Sequence, residues 1–174
     1  MAIEVKAWVG NLGKYNEGEL VGEWVTFPID DDDWEEVMER IGIDYEKYEE
    51  TFCADYDSEL KLFDMFGEYP QCEQLNELAD CLDSVDDEDV FLAILNDYAT
   101  DVWQALDVYA KGEYRYWEGC QDMSDVAYRI CQDDPRFCDA PRFMKNHFSY
   151  KSYGEELDSC GTFIPCGTGY LEIY

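Results

Sequence analysis

Asp30-Asp31-Asp32-Asp33-Trp34-Glu35-Glu36-Val37-Met38-Glu39-Arg40-Ile41-Gly42 carries two patterns at once. Trp34, Val37, Met38 and Ile41 recur at i, i+3, i+4 and i+7, the apolar stripe of an amphipathic helix. The four aspartates precede that stripe, where the partial positive charge of the helix dipole stabilises anions and short side chains can accept from free N–H groups. Gly42 ends the helix. One face is built for a core, and the remainder is almost all carboxylate.

Upstream, Ile3, Val5, Ala7 and Val9 alternate with Glu4, Lys6 and Trp8, the period of a strand with one buried face. Gly10, Gly13, Asn16 and Gly18 read as a loop, and Leu20 to Phe27 resumes an extended pattern that stops at Pro28. Residues 3–27 are therefore expected to form a long-looped hairpin. Downstream, Thr51 to Ala54 supplies a third strand and completes a ββαβ-like lobe over residues 1–61.

Beyond Lys61 the period changes. Leu75, Leu78, Ala79 and Leu82 form one helical stripe, with Glu73, Glu77 and Asp80 on another face. Asp86, Asp87, Glu88 and Asp89 open a second helix that turns Phe91, Ile94, Leu95 and Tyr98 inward, and Trp103 with Leu106 indicates a third. Residues 62–107 read as a central helical lobe entered at Pro70. In residues 108–174, Val108 to Trp117 reads as a strand. A helix starts at Ser124 or Asp125 and runs through Val126, Ala127, Ile130 and Cys131. Gln132 to Pro141 reads as loop, and Phe143 to Leu157 as mostly helix. Thr162 to Ile164 and Tyr170 to Tyr174, joined by Gly167-Thr168-Gly169, form a terminal hairpin. The expected fold class is α+β, in three small lobes: α+β at 1–61, helical at 62–107 and mixed at 108–174.

The charge follows this order. The 174 residues carry a net charge of −30, yet 47% are hydrophobic and 16% aromatic, enough apolar surface to offset the entropy of folding and exclude a disordered acidic tail. From Glu17 to Asp107 thirty acidic residues face only Arg40, Lys47 and Lys61, a net charge of −27. Between Lys61 and Lys111 there are thirteen carboxylates and no Lys or Arg. Residues 108–174 are close to balanced, at −4. A global acidic excess for solubility in a salt-rich cytoplasm would spread along the whole chain; this one is confined, which points to a directed surface.

Several function classes are disfavoured. Paired carboxylates occur by chance on such a surface, and His147 is the only histidine, so acid–base or nucleophilic catalysis lacks its usual partners. An EF-hand needs Gly at position 6; the register from Asp30 places Glu35 there and that from Asp55 places Leu60. No phosphate-cradling glycine motif is present. None of the eight cysteines forms a C-x-x-C pair, so a zinc site lacks its usual spacing. No secretory or membrane-spanning pattern is evident, so a soluble cytoplasmic protein with reduced thiols, no metal and no cofactor is expected. Direct nucleic-acid binding is opposed by the sign of the charge.

What remains is the field itself. Duplex DNA carries one charge per ~1.7 Å of axis, so a charge of −30 corresponds to roughly 50 Å, or about 15 base pairs. On the helix at 73–80, carboxylates at i, i+4 and i+7 advance by about 6 and 4.5 Å, inside the ~8 Å Debye length, and act as a continuous anionic track. The carboxylates expected to stand for phosphates are Asp30, Asp31, Asp32, Asp33, Glu35, Glu36, Glu39, Asp55, Asp57, Glu73, Glu77, Asp80, Asp83, Asp86, Asp87, Glu88, Asp89, Asp97 and Asp101. Two readings follow: a stoichiometric inhibitor that competes with DNA for a basic groove, and a general acidic chaperone or sequestering protein for basic nucleic-acid-binding proteins.

Three groups of residues carry a family resemblance. The first is Ala7-Trp8-Val9-Gly10-Asn11-Leu12-Gly13-Lys14-Tyr15-Asn16-Glu17-Gly18, followed by Gly22-Glu23-Trp24. The second is Asp55-Tyr56-Asp57-Ser58, Gly67-Glu68-Tyr69-Pro70 and Leu75-Asn76-Glu77-Leu78-Ala79. The third is Phe148-Ser149-Tyr150-Lys151-Ser152-Tyr153-Gly154 with Gly161-Thr162-Phe163. In this order they resemble the ArdA antirestriction family. The resemblance implies an elongated, three-lobed, homodimeric mimic of bent B-form DNA, encoded on mobile genetic elements, that occupies the DNA groove of type I restriction-modification enzymes without catalysis or cofactor. It implies pairing through the C-terminal lobe, for which Tyr109, Ala110, Val126, Ala127 and Ile130 are the candidates. Gln132 to Arg142 looks like an insertion relative to the family pattern.

Overall fold

The computed structural model describes residues 3–174, which contain ten helices and six strands in two antiparallel sheets. The chain divides into two compact units, Met1–Asp86 and Asp87–Tyr174. The helices expected within 62–107 fall on both sides of that division.

In the first unit, β1 (Val5–Asn11) is the central strand, flanked by β2 (Gly22–Phe27) and β3 (Thr51–Asp57). The hairpin register runs from Val5 opposite Phe27 to Gly10 opposite Gly22, and the β1–β3 ladder is interrupted by a bulge between Trp8 and Val9. Alternation turns Val5, Ala7, Val9, Val25 and Phe27 inward. Helix α2 (Asp31–Ile41) packs on β2 and buries Val37, Met38 and Ile41, as its stripe requires. The Asp30 carboxylate caps it, accepting from the Asp33 N–H at 2.8 Å, and Gly42 closes it in the left-handed region. Helix α4 (Cys72–Leu82) packs on β1 and β2 and buries Leu75, Leu78, Ala79 and Leu82, each apolar side chain contributing about 1.5–3 kcal/mol.

The expected loop after β1 contains a short helix, α1 (Leu12–Asn16), because Asn11 acts as its cap. Asn11 is fully buried: its Oδ1 accepts from the Lys14 N–H, and its Nδ2 donates to the carbonyls of Ile41 and Gly42. One carboxamide thus starts α1 and satisfies the end of α2. A second short helix, α3 (Leu62–Phe66), precedes Pro70 and has no side-chain cap, so neither composition nor capping signalled it.

In the second unit, α5 (Glu88–Asp97) and α6 (Val102–Lys111) pack together, with α5 also against β5 (Thr162–Cys166). The second sheet has the order β4-β6-β5, with β4 (Tyr114–Trp117) and β6 (Gly169–Ile173), so the terminal hairpin is joined by an earlier strand. Val108 to Lys111 is helix, not strand, because α6 continues to the left-handed Gly112. Its inward face is Val102, Ala105 and Val108; Trp103 lies exposed and Leu106 half-buried, one residue out of phase with the expectation. Helix α7 (Met123–Asp133) buries Val126, Ala127 and Cys131 and packs along α10 (Tyr150–Cys160). Gly154 permits this approach: a Cβ there would stand 2.5 Å from the Met123 carbonyl oxygen. Between them the chain forms two short helices, α8 (Pro135–Cys138) and α9 (Arg142–Asn146), so the expected loop is partly helical and the expected long helix is broken at 147–149.

Candidate functional site

The nineteen carboxylates singled out from the sequence lie at the surface; Glu88 alone is half-buried and the other eighteen are exposed. Their exposure follows from the two periods. A residue three or four positions off an apolar stripe, or on the outward face of an edge strand, has no core to enter. Seven of them, Asp30 to Asp33 with Glu35, Glu36 and Glu39, lie on or beside α2. They span about 14 Å of helix axis, one charge per roughly 2 Å, close to the ~1.7 Å of duplex DNA.

Tertiary packing adds what spacing alone does not provide. The Asn76 side chain on α4 forms a two-point clasp with Ile29, its Oδ1 accepting from the Ile29 N–H at 2.8 Å and its Nδ2 donating to the Ile29 carbonyl at 2.8 Å. The clasp holds the turn into α2 against α4. Asp80 of α4 therefore shares an open groove of about 700 Å³ with Glu23, Asp30, Asp33 and Glu36. Among the described residues Arg40 is the one cation lining it. Its guanidinium grips Glu23 in a forked pair, 2.7 Å at the shortest, and reaches Glu36 at 3.4 Å. Arg40 is thus spent mainly on the rim, and Asp30, Asp33 and Asp80 form no ion pair among the described residues.

Of the eighteen exposed carboxylates, two meet a cation among the described residues: Glu36 with Arg40, and Asp57 with Lys6 at 4.0 Å. Three of the nineteen have a second role, since Asp30, Asp87 and Asp101 accept from backbone N–H groups as caps of α2, α5 and α6. The acidic surface is also wider than expected. Glu46, Glu49, Glu50, Glu59, Asp64 and Glu68 are exposed in the first unit. They sit in loops and on short α3, where periodicity carries no signal; only the local excess of acid over base marks them. Glu17, by contrast, is neutralised by Lys47 at 2.9 Å and accepts from Tyr48, which lowers its pKa. Among the described residues no cluster of three or more His, Cys, Asp or Glu is arranged to hold a metal, and no helix is long and apolar enough to cross a membrane.

The family model described as antirestriction protein (ArdA) matches residues 7–172, nearly the whole chain. The chain belongs to the ArdA family. ArdA proteins are antirestriction proteins, so the partner class is the restriction-modification enzyme. No curated protein matches the chain closely.

The residues expected at an ArdA-type pairing surface are placed unequally. Val126 and Ala127 have no exposed area and serve the unit's own core, where Val126 meets Trp117 and Cys120, with Ile130 half-buried beside them. Tyr109 packs edge-on to Phe91 and stacks on Tyr114, and its hydroxyl accepts from the Asp87 N–H. Ala110 alone is exposed. Helical spacing identifies an inward face but does not say whether the facing surface belongs to the same chain.

Proposed function

We propose that this ArdA-family protein is a stoichiometric inhibitor whose acidic surface takes the place of DNA in the DNA-binding groove of a type I restriction-modification enzyme. It acts in the cytoplasm as a homodimer paired through its C-terminal part. One observation carries the reading: the carboxylates on or beside α2 are exposed at nearly the linear charge density of a duplex, those of α4 extend the anionic track, and of them all only Glu36 meets a cation among the described residues. A basic groove that meets them supplies the counterions and releases its own condensed anions. The carboxylates are also held on packed helices, so little conformational entropy is lost when they are bound.

The test is inhibition of DNA cleavage by a purified type I enzyme, titrated with the protein over a salt series and against competing duplex. Competitive inhibition with steep weakening as salt rises is expected. Inhibition unaffected by duplex concentration overturns the reading. Equal retention of an unrelated basic protein would indicate a general acidic chaperone instead. Charge reversal at Asp80, Asp83 and Asp89 is suitable for this assay; Asp87 is not, because its carboxylate caps α5 and its loss would perturb folding by about 1 kcal/mol.

A further inference from the structure

The outward face of the first sheet carries aromatic rings beside its carboxylates. Trp8 on β1 pairs with Trp24 on β2 and with Asp55 on β3, and Lys6 pairs with Thr26 and Asp57. Val5, Ala7 and Val9 turn the other way, into the core under α2 and α4, so these side chains share the opposite face. Trp8 lies across a cross-strand pair of glycines: a Cβ at Gly10 or at Gly22 would stand 2.5 Å from its indole. Phe52 meets that indole edge-on at 6.1 Å. Trp8 is therefore held in place, whereas Trp24, on the edge strand, is 44% exposed.

This face already holds one cation, and its contacts show what the surface accepts. The Lys6 ammonium stands 5.8 Å from the centre of the Trp24 ring and 4.0 Å from the Asp57 carboxylate. Asp55 is exposed and forms no ion pair among the described residues. Trp24 also lines the acidic groove with Glu23, Asp30, Asp33 and Asp80, so ring and groove adjoin along β2. A planar, weakly hydrated cation suits such a surface. A guanidinium stacks on an indole and forks to a carboxylate at once, which a compact ammonium does not. An apolar guest would leave Asp55 and Asp57 desolvated and unpaired. A nucleobase would stack on the ring, but its phosphates would meet a protein of net charge −30.

We infer that Trp24, backed by Trp8, is a stacking site for arginine side chains of the restriction enzyme's basic groove. The inference rests on the DNA-mimic reading for its partner and adds a contact of a different kind. The carboxylates attract any cation, and salt screens them; the exposed indole selects arginine over lysine and is screened less.

The first probes are hexa-arginine and hexa-lysine peptides, which carry equal charge, titrated into the full-length protein in a calorimeter at about 150 mM salt. The wild-type protein is expected to prefer the arginine peptide by ~3-fold or more. Trp24→Leu should cut that preference at least ~2-fold and leave the lysine peptide's affinity within ~1.5-fold, while Trp24→Phe, which keeps a ring, should retain most of it. The position is exposed, so thermal unfolding should be unchanged. In cleavage inhibition Trp24→Leu should raise the half-inhibitory concentration ~2- to 5-fold at an unaltered salt slope, because no charge is removed. A wild-type protein without preference for arginine overturns the proposal whatever the variants do, and leaves the DNA-mimic reading standing. A preference that Trp24→Leu does not change, or unchanged inhibition by that variant, overturns it too. So does Trp24-dependent binding of an oligothymidylate at equal or lower concentration, which would make a base the occupant, or loss of self-association by Trp24→Leu in light scattering, which would make it a second copy. Failure of the wild-type protein to compete with duplex would instead refute the reading on which the partner rests; the peptide titrations contain no restriction enzyme and so separate the two failures.

Discussion

Neutralising the outer face of α4 separates an electrostatic role from a structural one. Glu73, Glu77, Asp80 and Asp83 are exposed at or near this helix, and no side-chain hydrogen bond or ion pair involves them among the described residues, while Leu75, Leu78, Ala79 and Leu82 hold the helix in place from the opposite side. The fourfold change Glu73→Gln, Glu77→Gln, Asp80→Asn, Asp83→Asn therefore removes four charges and no packing. Exposed substitutions of this kind alter stability by about 0.5 kcal/mol or less each, and relief of repulsion among like charges acts in the favourable direction. If each carboxylate forms an exposed ion pair in a basic groove, worth roughly 0.5–1 kcal/mol, the loss is about 2–4 kcal/mol, or ~30- to 1,000-fold in the concentration needed for half inhibition. The slope of log affinity against log salt should also fall by about 3 to 4, since each DNA-like contact contributes ~0.9. Both are read from cleavage inhibition at several salt concentrations, with circular dichroism melting as the control. An unchanged half-inhibitory concentration and slope, with melting preserved, would refute the assignment of α4 to the binding surface.

Three further outcomes test the architecture. Asn11→Ala removes three hydrogen bonds and leaves the last carbonyls of α2 without a partner, so a loss of about 2–3 kcal/mol is expected, seen as a fall in Tm of roughly 4–12 °C by calorimetry; a shift under about 2 °C would contradict the double role of this side chain. Gly154→Ala should cost about 1–3 kcal/mol in denaturant unfolding, because the new Cβ meets Met123 backbone and neither helix can yield without separating; unaltered stability would show that α7 and α10 are not so tightly apposed. The Asp134 carboxyl is held down to about 2, first by the Arg136 side chain and then by backbone N–H groups at the start of α8. A pKa depressed on folding contributes stability that is complete above the ordinary carboxylate value and lost as pH falls through the folded one. Loosening of α8 is thus expected between about pH 4 and pH 2, followed by the Asp134 side-chain carbon shift in NMR; a midpoint near 4 would remove the pairing from the account.

Particular elements show how far the sequence could be read. The α2 segment was legible in full, from its Asp30 cap to the left-handed Gly42, because cap, stripe and stop are local signals that agree. The three strands of the first sheet followed from three runs of strand period near one amphipathic helix, whereas the central place of β1 was set by pairing with the distant β3. The α6 face was misphased by one residue, since Trp103 and Leu106 are the most hydrophobic residues there, yet the smaller Val102, Ala105 and Val108 fit the interior and leave the indole outside. Short helices α1, α3 and α8 were invisible because a single turn has no period to detect; α1 rests on one buried carboxamide whose partners lie about thirty residues away.

By itself the sequence determined the sign and distribution of the charge, the exposure of eighteen of the nineteen carboxylates, the family and the existence of the long helices. These depend on composition and on periodicities a few residues long. Only the tertiary structure decided that Arg40 is used up against Glu23 and Glu36, that the Asn76 clasp on Ile29 brings Asp80 alongside Asp30 and Asp33, and that Val126 and Ala127 are occupied within their own unit. The physical reason is range. Helix faces and caps are set by neighbours within one or two turns, whereas the neutralisation of a charge or the covering of an apolar face depends on which distant segment packs beside it.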